Sequence, residues 1–333
     1  MAGLKAGVIG VGWFGEIHCS AIAGVPGMEL VALADRDETR LAEVAQQFGV
    51  TSVYSDYRDL LADPAIDLVH IVTRWDSHAE IAIAALKAGK HVLLEKPMAP
   101  TVAECAEICA AAKAADSYLM VGHVCRFNPR CIAAKREIDG GGIGRIVSLN
   151  GRRNVPAAWA ENALNKVNPI SDTAIHDTDL MLWFTGARVT SVYAQTVRVN
   201  DYVYPDLFQL IYRFDNGATA IYESAWLLPD SAPFMIDERM SIFGSTGFVQ
   251  VQDTFPNLGL CNADGFTGPD TTYWPRIGGV TGGALGEEVM YFANCVANGI
   301  TPSVITPEQS MAAMETVLAA QQSAESGEIV RLG

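Results

Sequence analysis

Four short stretches of this 333-residue chain carry side chains at spacings suited to chemistry. The first is Gly10-Val11-Gly12-Trp13-Phe14-Gly15, a G-x-G-x-x-G pattern between an apolar run and a helix-like run. Glycines there permit a tight turn, close approach of a pyrophosphate and close helix–strand packing, while the helix start offers N–H groups and a positive dipole. Alone, the pattern marks any tight turn. Asp35, twenty residues beyond Gly15 at the end of the second apolar run, makes it specific. A carboxylate there accepts both ribose hydroxyls of an adenosine and repels a 2′-phosphate. The pair predicts a dinucleotide site that takes NAD in preference to NADP. Arg36 follows directly: a guanidinium there either stacks on adenine, meets a 2′-phosphate or is a solvated helix-cap arginine.

The remaining stretches are Glu95-Lys96-Pro97 and Ser171 to Leu180. Lys96 stands at the carboxyl end of a strand-like run, where open α/β sheets bind ligands, and Pro97 disfavours helix at that lysine. In the second stretch Asp172, His176, Asp179 and Trp183 fall on one helical stripe. Three ionisable groups one turn apart make poor core material. A histidine ionises at about pH 6.5, suited to taking a proton from an alcohol, and a carboxylate one turn away can orient it or bind a substrate hydroxyl. A solvated helix face is the competing explanation of such a stripe. Too few ligands accompany it for a metal, so no metal site is predicted.

These residues need elements to hold them. Apolar runs at 4–10, 29–35, 67–72, 91–94 and 118–121 alternate with helix-like stretches at 13–24, 37–47, 76–88 and 101–115. That alternation predicts a doubly wound parallel sheet covered on both faces. After about 145 the pattern changes to strands at 145–153, 188–198, 206–214, 217–226, 236–243 and 247–252, with Asp215-Asn216-Gly217 as a hairpin turn. This predicts a second, α+β domain built on a large open, mostly antiparallel sheet. One helix, 171–184, interrupts it with Ser171 as N-cap. Residues 253–283 read as one long loop, and helices at 284–298 and 307–325 close the chain. The predicted domains are 1–121 and 122–333, with the last helix able to pack back on the first.

Carboxylates outnumber basic groups 38 to 23, a formal net charge of −15. That disfavours nucleic acid and anionic membranes as partners, because both need clustered Lys and Arg. Half the residues are apolar and 18% are charged, so a large core is available and general disorder is excluded. No apolar run approaches the roughly 20 residues of a membrane span. No signal peptide is visible, and seven scattered cysteines form no disulfide framework. A reducing cytoplasm is the expected compartment. Cys105 and Cys109, four apart on a helix, lack partners to complete a zinc set.

Taken together, the Gly10–Gly15 turn, Asp35, Glu95-Lys96-Pro97 and Asp172-x-x-x-His176 resemble the Gfo/Idh/MocA oxidoreductases, in order and over essentially the whole chain. Ser171–Trp183 is most similar to inositol 2-dehydrogenases and related sugar dehydrogenases. The resemblance implies an active site between a Rossmann domain and an open sheet. It implies that Lys96 binds the reacting oxygen, that His176 is the general acid/base and that Asp172 holds a substrate hydroxyl. Thr73 and His78 would lie toward the nicotinamide end of the dinucleotide, with Glu95 and Lys96 also at the cofactor, and the Lys96–Pro97 bond is often cis in such proteins. Hydride would pass between a secondary alcohol of a cyclic polyol or sugar and NAD, with Lys96 stabilising the alkoxide. A homodimer or homotetramer through the second-domain sheet is expected.

Departures from the inositol dehydrogenase pattern bear on the substrate. Those enzymes often show two successive arginines where this chain has Cys125-Arg126. Arg152 stands where a histidine is common, though Asn154 matches, and a tyrosine is replaced near Leu285. Arg126, Arg152, Asn154 and Trp274 complete the substrate-binding expectation. Arg152 either binds a carboxylate or phosphate or forms a surface salt bridge; Trp274 either covers a sugar face or anchors the loop. Other functions open to the same scaffold are an NAD-assisted glycoside hydrolase, a keto-sugar reductase and a non-catalytic NAD-binding regulator.

Overall fold

The computed structural model describes residues 3–229, 231–252, 258–263 and 265–333. The chain forms two compact units, Met1–Asn128 with Thr272–Met311 and Pro129–Thr271 with Ala312–Gly333. The division follows Asn128 where 121 was expected. The segment that returns to the first unit is Thr272–Met311, not the last helix as a whole.

The first unit is a Rossmann fold. Its strands are β1 (Leu4–Ile9), β2 (Met28–Ala34), β3 (Ser52–Tyr54), β4 (Leu68–Ile71), β5 (His91–Glu95) and β6 (Leu119–Gly122). They pair in parallel in the order β3-β2-β1-β4-β5-β6. Helices α1 (Trp13–Gly24), α2 (Glu38–Phe48), α3 (Tyr57–Ala62), α4 (His78–Lys87) and α5 (Val102–Ala114) supply the crossovers. Every residue of β4 and β6 is buried, as strands covered on both faces require. Local signals start the helices: Asp37 accepts the N–H groups of Thr39 and Arg40, and the Thr101 hydroxyl accepts the Glu104 N–H while donating to the Glu104 carboxylate. The order reverses between β1 and β4, so the carboxyl ends of those strands open the crevice where this fold binds ligands.

The second unit begins with α6 (Pro129–Asp139), followed by β7 (Ile146–Asn154), α7 (Ala157–Ala163), α8 (Pro169–Asp172) and α9 (Ala174–Thr185). Strands β8 (Val189–Val197), β9 (Leu207–Phe214), β10 (Thr219–Ala225), β11 (Asp237–Gly244) and β12 (Phe248–Gln252) come next. The predicted long loop holds two short hairpins, β13 (Leu260–Asn262) with β14 (Gly265–Thr267) and β15 (Arg276–Ile277) with β16 (Val280–Thr281). Residues 253–257 and 264 of that prediction lie outside the described residues. Helices α10 (Gly283–Asn298) and α11 (Pro307–Ser326) and strand β17 (Val330–Arg331) end the chain.

The large sheet runs β12-β11-β7-β10-β9-β8-β17, antiparallel except for β7 against β10. Alternation gives it two unlike faces. Along β9, Phe208, Leu210, Tyr212 and Phe214 are buried while Gln209, Ile211 and Arg213 are exposed. On the buried side α9 packs against β7 and β10. A Cβ on Gly151 would come 2.9 Å from the Met181 methyl, so that glycine admits the helix closely. Among the described residues, no helix is long and apolar enough to cross a membrane.

Candidate active site

In the first unit, Gly10 has φ +90°, and a Cβ there would meet the Val72 carbonyl at 2.7 Å. A Cβ on Gly15 would stand 2.0 Å from the Gly10 carbonyl oxygen. Gly12 differs: nothing lies within 4 Å of the position its Cβ would take. The outer glycines are therefore demanded by the protein's own packing, while the middle one faces open space. Gly12 is also the N-cap of α1, with no side chain capping the helix start. Open space before an uncapped N-terminus of a twelve-residue helix fits a pyrophosphate.

The peptide of Val11 is held from both sides. Its N–H donates to Asp35 Oδ2 (2.7 Å) and its carbonyl accepts from Arg40 Nε (3.0 Å). Asp35 Oδ1 accepts the Asp37 N–H (2.9 Å), so the carboxylate is oriented before any ligand arrives. Asp35 lines a cleft of about 570 Å³ together with Gly10, Gly12, Arg36, Thr73 and Arg74. The cleft joins the ends of β1, β2 and β4, and its lining suits an adenosine with its ribose at Asp35. Arg36 is exposed on that lining. Arg40, which ties the turn to α2 and pairs with Glu16, is a site-building residue the sequence reading missed.

At the end of β5 the Lys96–Pro97 bond is cis, and Lys96 is half-buried. The buried His78 faces the Pro97 carbonyl through Nδ1 (2.9 Å) and the Thr73 carbonyl through Nε2 (3.0 Å). It thus clamps the turn after β5 to the turn after β4. Burial lowers its pKa against the opposing pull of those two carbonyls. Glu95, expected at the cofactor, is buried instead: Oε1 lies 3.1 Å from His18 Nε2, and Oε2 accepts the Lys96 N–H (3.0 Å).

Two further expectations change. Arg126, expected at the substrate, is 1% exposed, and its Nη1 donates to the Val304 carbonyl (2.6 Å) and Gln309 Oε1 (2.8 Å). The returning segment supplies both acceptors. Trp274, from the same segment, packs edge-on against Trp13 (6.0 Å) and Phe14 (5.6 Å) beside the glycine turn. Its observed neighbours therefore belong to the dinucleotide unit.

In the second unit, the predicted single helix is two. Asn168 caps α8 through the Ile170 N–H (3.0 Å), Pro169 occupies the first turn, and Thr173 separates α8 from α9. Ser171 is not the N-cap; its hydroxyl donates to the Asn168 carbonyl (3.1 Å). Asp172 ends α8 and His176 lies in the first turn of α9, both half-buried. Asp179 is fully buried, and Trp183 lies 5.8 Å from the Lys135 ammonium.

Beneath α9 lies an ion network that the sequence reading did not assemble. Buried Arg153 reaches Asp177 from Nε (2.7 Å) and Glu238 from Nη1 (2.9 Å). It ties the residue after His176 to β7 and β11. Arg152, next along the strand, points to the other face and lies 3.0 Å from Asp237. Asn154 donates to Asp237 (3.1 Å) and accepts the Ala225 N–H (2.9 Å).

Comparison with known proteins agrees with this architecture. Residues 4–123 match the oxidoreductase family with an NAD-binding Rossmann fold, and residues 131–250 match the GFO/IDH/MocA C-terminal domain. The chain is 29% identical to the scyllo-inositol 2-dehydrogenase (NAD(+)) of Bacillus subtilis, covering 99% of this chain and 96% of that protein. It is 30% identical to the myo-inositol 2-dehydrogenase of Thermotoga maritima, over 73% of this chain and 74% of the relative. The structure of scyllo-inositol dehydrogenase from Lactobacillus casei with bound NAD(H) and scyllo-inositol superposes with a TM-score of 0.85 at 25% identity, over 99% of each chain. With its fingerprint turn, oriented Asp35, cis Lys96–Pro97 and two-unit architecture, the chain belongs to the Gfo/Idh/MocA family of NAD-binding oxidoreductases.

Proposed function

We propose that this protein is an NAD-dependent dehydrogenase acting on a secondary alcohol of a cyclic polyol of the inositol type or a closely related sugar. The observation that carries the reading is Lys96 at the end of β5, one strand from a cleft lined by Asp35 and Thr73. The inositol dehydrogenases among its relatives support the substrate class. Asp35, with both oxygens oriented, accepts ribose hydroxyls and repels a 2′-phosphate, which favours NAD over NADP. When bound, NAD supplies the hydride-accepting ring.

The protein's own groups do the rest. His176 takes the hydroxyl proton as general base. Lys96 stabilises the charge developing on the alcohol oxygen, a charge greater in the transition state than in the substrate. Asp172 holds a neighbouring hydroxyl. Arg153, through Asp177, fixes the helix that carries His176. Self-association is proposed through the open sheet face, where Ile211, Ile221, Phe243 and Phe248 are each at least 49% exposed.

The test is turnover of inositol stereoisomers, aldoses and sugar acids with NAD and NADP, followed by absorbance of the reduced cofactor. On the best substrate Lys96→Ala should lower kcat by about 10²–10³ and His176→Ala by about 10²–10⁴. Full turnover by both variants would remove their assigned roles. Released aglycone with no net cofactor reduction would favour a hydrolase.

A further inference from the structure

Three buried titratable side chains lie in a row beneath the cofactor turn, and the mechanism above uses none of them. His70, on β4, places Nδ1 3.0 Å from Nδ1 of His18, on α1. His18 Nε2 lies 3.1 Å from Glu95 Oε1, and Glu95 Oε2 accepts the backbone N–H of Lys96 at 3.0 Å. Both imidazoles are 0% exposed and Glu95 is 5% exposed. The row has space because Gly122 lacks a side chain: a Cβ there would stand 2.7 Å from Glu95 Oε1. The His18 ring also meets Phe14 of the fingerprint edge-on at 5.0 Å.

Hydrogen-bond chemistry gives the row a direction. A carboxylate only accepts, so His18 carries its hydrogen on Nε2. With His18 in its neutral form that hydrogen leaves a lone pair at Nδ1, and His70 donates to it from its own Nδ1. This leaves the Nε2 of His70 as a bare acceptor. That atom is the one in the row that is buried and has no hydrogen-bond partner. A lone pair is the less costly group to leave unmet, since orphaned buried N–H donors are rarer than unmet acceptors. Burial also holds the His70 imidazole far below the usual histidine range, in keeping with a neutral ring. Two apolar residues would fill the space without desolvating polar groups. The polar row ends instead on the residue that holds the Lys96 peptide.

We propose that His70 and His18 are positioning residues whose one-way hydrogen-bond row, His70 to His18 to Glu95, fixes the Glu95 carboxylate and through it the Lys96 turn. The catalytic consequence rests on Lys96 acting in the reaction proposed above; the direction of the row does not.

Two measurements test the proposal and separate it from that reading. In ligand-free protein labelled with ¹⁵N at its six histidines, ring shifts should show two neutral histidines of opposite tautomer, His18 as Nε2–H and His70 as Nδ1–H, assigned with His70→Asn and His18→Asn. Loss of one buried hydrogen bond should then cost His70→Leu about three- to tenfold in turnover, falling on kcat rather than on the KM for NAD. His70→Asn keeps an N–H where Nδ1 was and should recover most of that loss. A His18 protonated on Nδ1, or equal kinetics for the Asn and Leu variants, overturns the proposal. If His70→Leu does not fold, the wild-type tautomers still decide. A protein that turns over no polyol but shows the expected tautomers would refute the reading of function and leave the row standing.

Discussion

Replacing Arg153 by methionine removes a cation shared by Asp177 and Glu238. The guanidinium is 4% exposed, and the two carboxylates are 1% and 6% exposed. Methionine fills similar volume but takes this counter-ion away from two buried carboxylates. Breaking a buried pair from one side typically costs about 3–5 kcal/mol. For a unit of this size, about 2–4 °C of melting temperature accompanies each kcal/mol, so a fall of about 6–20 °C is expected. Differential scanning calorimetry reads it, because the two units need not melt together. The triple variant Arg153→Met, Asp177→Leu, Glu238→Leu removes charge and counter-charge alike and should recover most of the loss. A shift below about 2 °C for the single variant, or a triple variant worse than the single, would contradict the argument that charge balance holds α9 in place.

Four other outcomes follow from the structure. Gly15→Ala puts a methyl 2.0 Å from the Gly10 carbonyl oxygen and should destabilise the first unit. Gly12→Ala meets no protein atom and should melt within about 1 °C of wild type while losing NAD affinity, as calorimetric titration would show. Asp35→Asn should weaken NAD binding by about tenfold and narrow the preference over NADP, with unchanged NAD affinity the contrary result. His70 and His78 have folded pKa values depressed chiefly by burial. Each takes up protons less readily than the unfolded chain as pH falls below about 6.5. Stability is therefore full above that pH and falls as pH drops through it, by up to about 1.4 kcal/mol per pH unit for each histidine. Urea midpoints between pH 8 and pH 5 check the sign, and a rise on acidification would contradict it.

The parts of the molecule legible in its sequence are those set by local rules. Gly10, Gly12 and Gly15 announce a strand–turn–helix because backbone geometry demands them, and α1 runs over the predicted 13–24. The short β3, three half-exposed or exposed residues at a sheet edge, is too brief to show a period. The break at Thr173 was hidden because Ser171 and Asn168 are both good caps; Pro169 marked the true start. Arg153 was within reach: with Leu149 and Gly151 inward, period-two alternation puts it inside and Arg152 outside. Arg126 was not, since its acceptors at 304 and 309 come from a segment that returns after a second unit. The His70–His18–Glu95 row joins three strands of sequence in the same way, and no local pattern links residues 18, 70 and 95.

The central claim is that this protein moves a hydride from a cyclic secondary alcohol to NAD. The most direct measurement offers scyllo- or myo-inositol deuterated on its ring carbons, together with NAD, and weighs the nicotinamide product by mass spectrometry. Direct hydride transfer yields reduced cofactor carrying one deuterium, with transfer nearly abolished in His176→Ala. Cofactor that stays oxidised and unlabelled with every inositol and sugar offered would contradict it.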